Sequence, residues 1–417
     1  MKYFFIIFLF FSFLEGSESF SQPKESIEKR EYVKKRKGLS PYSRYLDKFE
    51  SKKANKYGYK YKFGGQISYD FTCVNEADIS YIEKDFRRVS LYHKGDFFNE
   101  EFFYELEYSF LGENHYKDIL AGYQNRFKSI NLDYRLKFGN IKIPFSFETY
   151  ASSKNITFME RAFTDAFSEN RKVGVEFLLS QNIKSAKLNL FSSIFMNSID
   201  EKREHEVEKS GYSLRSTFVN KFRKRYILSF GGGYMSQNIK GDNVKIKQGT
   251  ESNLMRKKYL SVNIKDVQTL SKVNLEFIYI FDKYYIGGEY TRLKVDAYNK
   301  LEYLHDYNYE AYYIEGSYFL RGQGKRFNMQ ESLFSKVKPK IDGALEIAFR
   351  YSFIDLNDIS NEKIEAGGEA SDYTFGVNWY INQELKILFN YIVSEPRGTE
   401  EYDGRLQVFQ VRTLFAF

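Results

Sequence analysis

The nine residues LEIAFRYSF, at positions 345–353, alternate between apolar and polar or small side chains. Five apolar residues would point to one side of an extended chain, and Glu346, Arg350 and Ser352 would point to the other. A period of two is typical of a β-strand whose two faces meet different surroundings. The same alternation recurs at 61–71, 374–382, 385–391 and 409–417. The sequence therefore predicts an all-β fold.

The composition restricts the surroundings of these strands. The 417 residues are 19% aromatic and 28% charged, with one Cys, and the mean hydropathy is -0.53. So many aromatic residues exclude a disordered chain, the low hydropathy excludes a bundle of membrane-spanning helices, and one Cys excludes an intramolecular disulfide framework. Strands with one face in lipid and the other in water reconcile the aromatic and the charged content.

Alternation by itself also fits a soluble β-sandwich. Three features favour a membrane barrel: Tyr and Phe lie near strand ends, strands recur about every 20–25 residues, and the last residue is Phe417. We therefore predict a transmembrane antiparallel β-barrel of about 16 strands over residues 58–417, in the bacterial outer membrane, where its partner is outer-membrane lipid. The polar stretches 200–209 and 241–257 are expected to be external loops.

The first 57 residues have a different character. Lys2, an apolar run at 3–11 and small residues up to Ser19 predict a secretory signal peptide over residues 1–19; a short membrane anchor is the alternative. Residues 20–57 hold 12 Lys and Arg against 5 Asp and Glu. We expect a partly disordered periplasmic segment there, and the alternative is attraction to anionic lipid headgroups or polyanions.

The net charge of +8 is a poor guide to selectivity. Residues 58–417 hold 50 Lys and Arg against 48 Asp and Glu, so the predicted barrel carries only +2. Strand alternation also places both signs on the inward face: Glu105, Glu107, Asp133, Glu176, Glu276, Glu289 and Glu315 with Arg88, Arg135, Lys137, Arg215, Arg350 and Arg412. Composition alone does not predict an anion channel.

The sequence carries no recognisable catalytic motif. Its four His residues are far apart, and the triplet Gly322, Gln323, Gly324 before Lys325 is too short for a phosphate loop. A nucleophile elbow and a zinc signature are also missing from the sequence. We therefore expect no enzyme, no cofactor, no metal and no nucleic-acid partner; a barrel enzyme is the least favoured alternative.

One stretch of sequence resembles a known family. Residues 138–175 read FGNIKIPFSFETYASSKNITFMERAFTDAFSENRKVGV, which is similar to the constriction segment of the phosphate-selective porin family (porins O and P). Ala151 and Asn170 depart from the family pattern, which has Thr and Gly there. The matching residues are Lys142, Pro144, Phe145, Ser152, Ser153, Thr157, Phe158, Glu160, Arg161, Arg171 and Gly174. Arg87 and Arg88 match a double Arg, Asp118 matches an Asp before a short strand, and Arg215 matches a mid-barrel Arg.

The resemblance implies a homotrimer of barrels, each with an inward-folded constriction loop and a lumen that passes small anions, with phosphate among the candidates. It implies anion-binding or constriction roles for Arg87, Arg88, Asp118, Lys142, Ser146, Ser152, Ser153, Lys154, Arg161, Arg171 and Arg215. Arginine forks, lysine charges and hydroxyl donors all suit oxyanions.

Several readings of these residues stay open. Strand alternation places Arg87 at the rim or in a loop, Lys142 could pair with Glu148, and Glu160 with Arg161 could form a pair that locks the loop. The alternatives to an anion channel are a general non-selective porin and a structural or adhesive barrel.

Overall fold

The computed structural model describes residues 58–76, 79–98, 100–169, 171–200, 209–223, 225–255, 257–298, 304–358, 366–398 and 404–417. The predicted signal peptide (1–19) and the basic segment (20–57) lie outside these residues, so both remain predictions. No helix among the described residues is long and apolar enough to cross a membrane.

Sixteen antiparallel strands of the described chain close into one barrel, as the sequence predicts. The barrel strands are β1 (Lys60–Glu76), β2 (Ile79–Phe97), β3 (Phe102–Ser109), β4 (Tyr116–Phe127), β5 (Leu132–Ile141), β6 (Lys172–Ile183), β7 (Ala186–Phe195), β8 (Ser210–Arg223), β9 (Tyr226–Gln248), β10 (Leu260–Phe281), β11 (Tyr284–Tyr298), β12 (Leu304–Arg321), β15 (Ala344–Asn357), β16 (Ala366–Tyr380), β17 (Leu385–Arg397) and β18 (Leu406–Ala416). A separate hairpin consists of β13 (Arg326–Asn328) and β14 (Leu333–Ser335).

The two faces of the barrel follow the alternation in the sequence. In β15, Phe349 is 44% exposed on the outside, whereas Arg350 and Ser352 on the inside are 1% and 0% exposed. The barrel closes where β1 pairs with β18. Phe417 takes part in this closure, because its backbone bonds to Gly65 at 3.1 and 3.2 Å and its carbonyl accepts a hydrogen bond from the Tyr92 hydroxyl at 3.0 Å.

Connections at the two ends of the barrel differ. At the end that holds Lys60 and Ala416, called here the turn end, six connections are two to four residues long, and the connection 322–343 is long. This hairpin segment (residues 322–343) carries β13 and β14 into the barrel, where Phe334 packs edge-on against Phe147 and Tyr285 with ring centroids 5.0 and 4.9 Å apart.

Two further segments enter the lumen from the opposite, loop end. The constriction segment (residues 142–169) contains the helix α1 (Phe147–Tyr150) and a 3-10 turn (Phe163–Phe167). The cap segment (residues 249–255) buries Thr250, Glu251 and Ser252 to 2–4% exposure. The inward-folded constriction loop is therefore present as predicted.

The prediction of an external loop over 241–257 is wrong. Strand β9 continues to Gln248 and pairs with the start of β10, and the cap segment that follows lies inside the barrel mouth. The physical reason is apolar burial: Ile246, Val262 and Ile264 pack into one cluster with Phe163 and Phe167 of the 3-10 turn. Of the other predicted loop, residues 201–208 lie outside the described chain.

The inward segments fill one side of the lumen. Four apolar clusters pack them against β6–β12, β15 and β16: the cluster around Phe163 and Phe167, that around Phe147 and Phe334, that around Phe145, and that around Tyr150. We call this side the packed half. The lumen next to β1–β5 holds the cavity described below.

Candidate functional site

A cavity of about 990 Å³ lies between the constriction segment and the wall formed by β1–β5, with β17 and β18 at its edge. A second cavity, of about 620 Å³, lies at the turn end. The two share the lining residues Lys62, Lys94, Phe103, Glu105, Lys137 and Glu331. The two cavities therefore border each other along this wall, and we call them together the passage.

A β-bulge directs both Arg87 and Arg88 into the passage. Strand β1 pairs Ser68 with Arg88 but the next residue, Tyr69, with Phe86, so Arg87 is an extra residue in β2. A bulge re-aims the side chains around it. Strict alternation would have turned Arg87 away from the lumen, and the bulge explains why both guanidinium groups line the cavity.

The two arginines have different partners. Arg87 donates from Nε and Nη2 to the carboxylate of Glu160 at 2.9 and 3.0 Å, which holds the constriction segment to the wall. The side chain of Arg88 makes no hydrogen bond or ion pair with any residue that the structure describes, and its Nη1 is buried. Burial alone would raise the pKa of Glu160, but Arg87 and Arg412 hold it well below the usual range. Of the two guanidinium groups, that of Arg88 is therefore the one without a carboxylate partner among the described residues.

Lys142 and Arg161 are held by backbone carbonyls of the constriction segment. Lys142 Nζ donates to the carbonyl of Ala151 at 2.6 Å, and Arg161 Nη2 donates to the same oxygen at 3.2 Å. Burial, followed by the charges of Arg171 and Arg161, lowers the pKa of Lys142 well below its ordinary value. The carbonyls orient both side chains, and Arg161 Nη1 also lies 3.8 Å from the carboxylate of Asp165.

The predicted alternatives for this segment are wrong. Glu148 does not pair with Lys142, because its carboxylate accepts from Arg350 and from the backbone N–H of Ala162. Glu160 and Arg161 do not pair with each other either, since Glu160 binds Arg87 and Arg412. Glu148 and Glu160 therefore hold the constriction segment in place through Arg350 and Arg87, respectively.

Asp118 and Arg171 form a two-pronged ion pair in the passage, with both N–O distances 2.8 Å. A paired guanidinium keeps its geometry but contributes little net charge. Glu105, Glu107 and Asp118 have carboxylate oxygens within 4.8 Å of one another. The passage thus carries acidic side chains opposite its cations.

The tip of the constriction segment places Ser152, Ser153 and Lys154 along the passage. Ser152 is exposed, and Lys154 Nζ lies 4.7 Å from the centroid of the Tyr92 ring. Hydroxyl donors and an ammonium group therefore line the same cavity.

Two of the predicted site residues lie elsewhere. Ser146 is 2% exposed at the start of α1 and does not line the passage. Arg215, 0% exposed, is bonded to Glu276 at 2.7 and 3.0 Å within the packed half. Arg215 is a correction to the predicted site, because the inward segments cover its part of the wall. Ser146 lies on the constriction segment, as expected, but it is buried away from the passage.

Sequence reasoning missed several cations that the structure brings together. Eight cations that line the larger cavity form no ion pair with any described residue: Lys62, Arg88, Lys94, Lys117, Lys142, Lys154, Lys336 and Lys386. Arg88, Lys142 and Lys154 are among the predicted site residues, and the other five were missed. The alternation of β1 and β2 in the sequence was enough to predict that Lys62 and Lys94 point into the lumen. Lys336, from the hairpin segment, carried no signal because nothing local in the sequence places that segment inside a barrel.

Comparisons with known proteins agree with this architecture. The sequence matches the family model described as phosphate-selective porin O and P over residues 60–417. Porin O of Pseudomonas aeruginosa is 29% identical over 125 residues, which cover 27% of this chain and 28% of that protein. The match therefore spans little more than a quarter of that relative's length.

Solved structures with the same fold include outer-membrane proteins of two bacteria. A loop-deletion mutant of OmpT of Vibrio cholerae superposes with a TM-score of 0.53 at 13% identity, over 86% of this chain and 99% of that one. OmpT in its trimer form gives 0.52 at 12% identity, over 86% and 99%. The outer-membrane channel DcaP of Acinetobacter baumannii gives 0.50 at 9% identity, over 88% and 99%. At these identities the likeness shows the fold.

Proposed function

We propose that this chain, which belongs to the phosphate-selective porin O and P family, is an outer-membrane channel whose passage conducts small anions by passive diffusion. Family membership rests on the match over residues 60–417, and it places the protein in the bacterial outer membrane. The proposal concerns what crosses the barrel and which side chains select it.

The observation that carries the proposal is the set of unpaired cations along the passage. Arg88, Lys117 and Lys154 line it without an ion-pair partner among the described residues, and Lys62 and Lys94 continue the series to the turn end. A channel must bind its ion weakly enough to release it, so several moderate sites in series serve better than one tight site.

Small oxyanions, with inorganic phosphate among them, are the proposed solutes. A guanidinium presents a planar fork to two oxygens, and the hydroxyls of Ser152 and Ser153 can donate to the others. Because Arg87 and Arg171 are engaged by Glu160 and Asp118, Arg88 is the free fork of the passage among the proposed site residues. A single unpaired guanidinium favours a modest preference for phosphate instead of tight phosphate binding.

A general, weakly selective porin is the second candidate. The observation that favours it is the presence of acidic side chains on the same wall. Among the described residues, Glu105 forms no ion pair, and Glu107 accepts a side-chain hydrogen bond from Ser90 at 2.9 Å. Carboxylates in the passage lower the local anion concentration. The balance between the two sets of charges decides between the candidates.

The proposed assembly is a homotrimer embedded in outer-membrane lipid, with no enzymatic activity. Its support is the trimer form of OmpT, a barrel of the same fold, and the exposed apolar residues on the outer face, such as Phe138 at 64% and Ile194 at 66%.

The test is a reversal-potential measurement on single channels in planar bilayers under a KCl gradient. Wild-type protein should prefer chloride over potassium, and millimolar phosphate should reduce the chloride current. Arg88→Glu should lower the chloride-to-potassium permeability ratio about five- to thirtyfold, since reversing one charge at close range is worth about 1–2 kcal/mol in a watery channel.

Arg405→Glu is the matched control, because Arg405 undergoes the same charge reversal but lies outside the passage lining, with a side chain 64% exposed. Its permeability ratio should equal that of the wild type. Cation preference in the wild type, or equal ratios for both variants, would contradict the proposal.

A further inference from the structure

Arg350 lies in the packed half, on β15, and is 1% exposed. It does not line the passage. We infer that Arg350 is a positioning residue of the channel: it joins the constriction segment to the cap segment and so places the cations that the passage uses. This inference rests on the proposed function, but its test measures a separate quantity, the unitary conductance and current noise of the variants.

One guanidinium binds both inward segments. Nη1 donates to Oε1 of Glu148 at 3.3 Å, and Nη2 donates to the carbonyl of Glu160 at 3.1 Å, both in the constriction segment. Nη2 also donates to Oε2 of Glu251 in the cap segment. The guanidinium carbon lies 4.5 Å from the centroid of the Phe158 ring. The planar, five-donor shape of arginine is needed to reach these partners together.

The contact with Glu148 continues to the passage in two steps. The second carboxylate oxygen of Glu148 accepts the Ala162 N–H at 2.8 Å, which braces the segment across its own width. The carbonyl of Glu148 accepts a bond from Arg161 Nε at 3.0 Å, and Arg161 shares the carbonyl of Ala151 with Lys142. The place of two cations in the passage thus depends on where Arg350 holds Glu148.

The contact with Glu251 fixes the cap segment in the same way. The backbone N–H of Glu251 donates to Asp372 at 2.8 Å, and Gln410 donates to its carbonyl at 3.3 Å. Asn253, two residues further on, lines the passage. Arg350 therefore sets the distance between two segments that both border the route.

The charges around Arg350 make this joint sensitive. Three carboxylates face one guanidinium, since Glu315 also lies 3.7 Å from Nη1. Without the guanidinium, Glu148 and Glu251, each 3% exposed, would be buried without a counter-charge, which is strongly unfavourable. The expected response is that both segments move away from β15 and toward the passage side.

The experiment compares Arg350→Met and Arg350→Lys with the wild type by single-channel conductance and by the chloride-to-potassium permeability ratio. We expect Arg350→Met to change the unitary conductance about twofold, to add current noise from the loosened segments and to lower the ratio, since Arg161 and Lys142 lose their support. Arg350→Lys keeps the charge but not the planar fork, so its conductance and permeability ratio should fall between those of the wild type and of Arg350→Met. Unchanged conductance and ratio in folded Arg350→Met protein would overturn the inference.

Arg126→Met is the matched control, because Arg126 pairs with Asp133 in the barrel wall and does not line either cavity. It should keep the wild-type conductance.

If Arg350→Met does not fold, as judged by trypsin resistance, Glu148→Gln and Glu251→Gln replace it. Each of these variants weakens one of the contacts of Arg350, and wild-type conductance and noise in both would overturn the inference. Wild-type selectivity is measured first, so a failure of the anion proposal shows there and a failure of the positioning role shows only in the variants.

Discussion

The packed half and the passage lie within one barrel and are built from the same alternating strands, but their charged residues behave differently. In the packed half, Arg215 and Glu276 are 0% and 2% exposed and bind each other, and Lys325 does the same with Glu346 at 2.8 Å. In the passage, Arg88 and Lys117 have no ion-pair partner among the described residues. The difference teaches that the alternation of a strand does not decide the role of an inward charge. An inward charge is structural where an inward segment packs against its strand, and it is available to a solute where none does.

The largest expected effect breaks a buried pair. Arg215→Met should lower the free energy of unfolding by about 3–5 kcal/mol, because it leaves the Glu276 carboxylate buried without a counter-charge. Arg88→Met should change it by less than about 0.5 kcal/mol, because no ion pair is lost. Urea unfolding of the refolded barrel in detergent, followed by tryptophan fluorescence, measures both.

The pair of variants also tests the comparison itself. Arg215→Met should leave the permeability ratio close to that of the wild type, whereas Arg88→Met should lower it. If Arg88→Met proved to be the more destabilising of the two, the division into a structural and a conducting half would be wrong.

A smaller effect is expected from the acidic side of the passage. Glu105→Gln removes one negative charge near Lys94 without changing the size of the side chain, so the chloride-to-potassium permeability ratio should rise about two- to fivefold, which corresponds to about 1 kcal/mol or less. Glu395→Gln, near the loop end and away from the passage lining, is the control and should leave the ratio unchanged. A fall in the ratio for Glu105→Gln would show that this carboxylate supports anion passage.

The smallest effect is a pH dependence from the hairpin segment. Burial lowers the pKa of the Lys336 ammonium to about 8, with Lys62, Lys154 and Lys338 adding to the effect and Glu384 opposing it. Lys336 is charged below this pH and neutral above it, so the permeability ratio should fall as the pH rises from 7 to 9. The change should be about twofold, as expected for one charge among several.

Lys336→Arg should reduce this pH dependence, because a guanidinium stays charged throughout the range. Reversal potentials recorded at pH 7, 8 and 9 on both proteins provide the measurement. An identical fall in the variant would assign the titration to another group.

Much of the fold was readable because the barrel imposes a period of two. Residues 345–353 alternate in the sequence and in the structure, with outward Phe349 and inward Arg350. The site was readable only in part: Arg87 reaches the passage through a bulge that breaks the alternation. Arg215 points inward as alternation predicts, but it meets Glu276 and the hairpin segment instead of water.

The sequence by itself determined the all-β class, the membrane barrel, its size and the family resemblance, because alternation and short ordered motifs are local properties of the chain. The tertiary structure alone decided which half of the lumen is filled. Three segments far apart in sequence meet there. They pack against β6–β12, β15 and β16, where inward charges form ion pairs, and they leave others, such as Arg88, unpaired among the described residues. Long-range packing of this kind has no period in the sequence, so the placement of the selective charges could not be read from it.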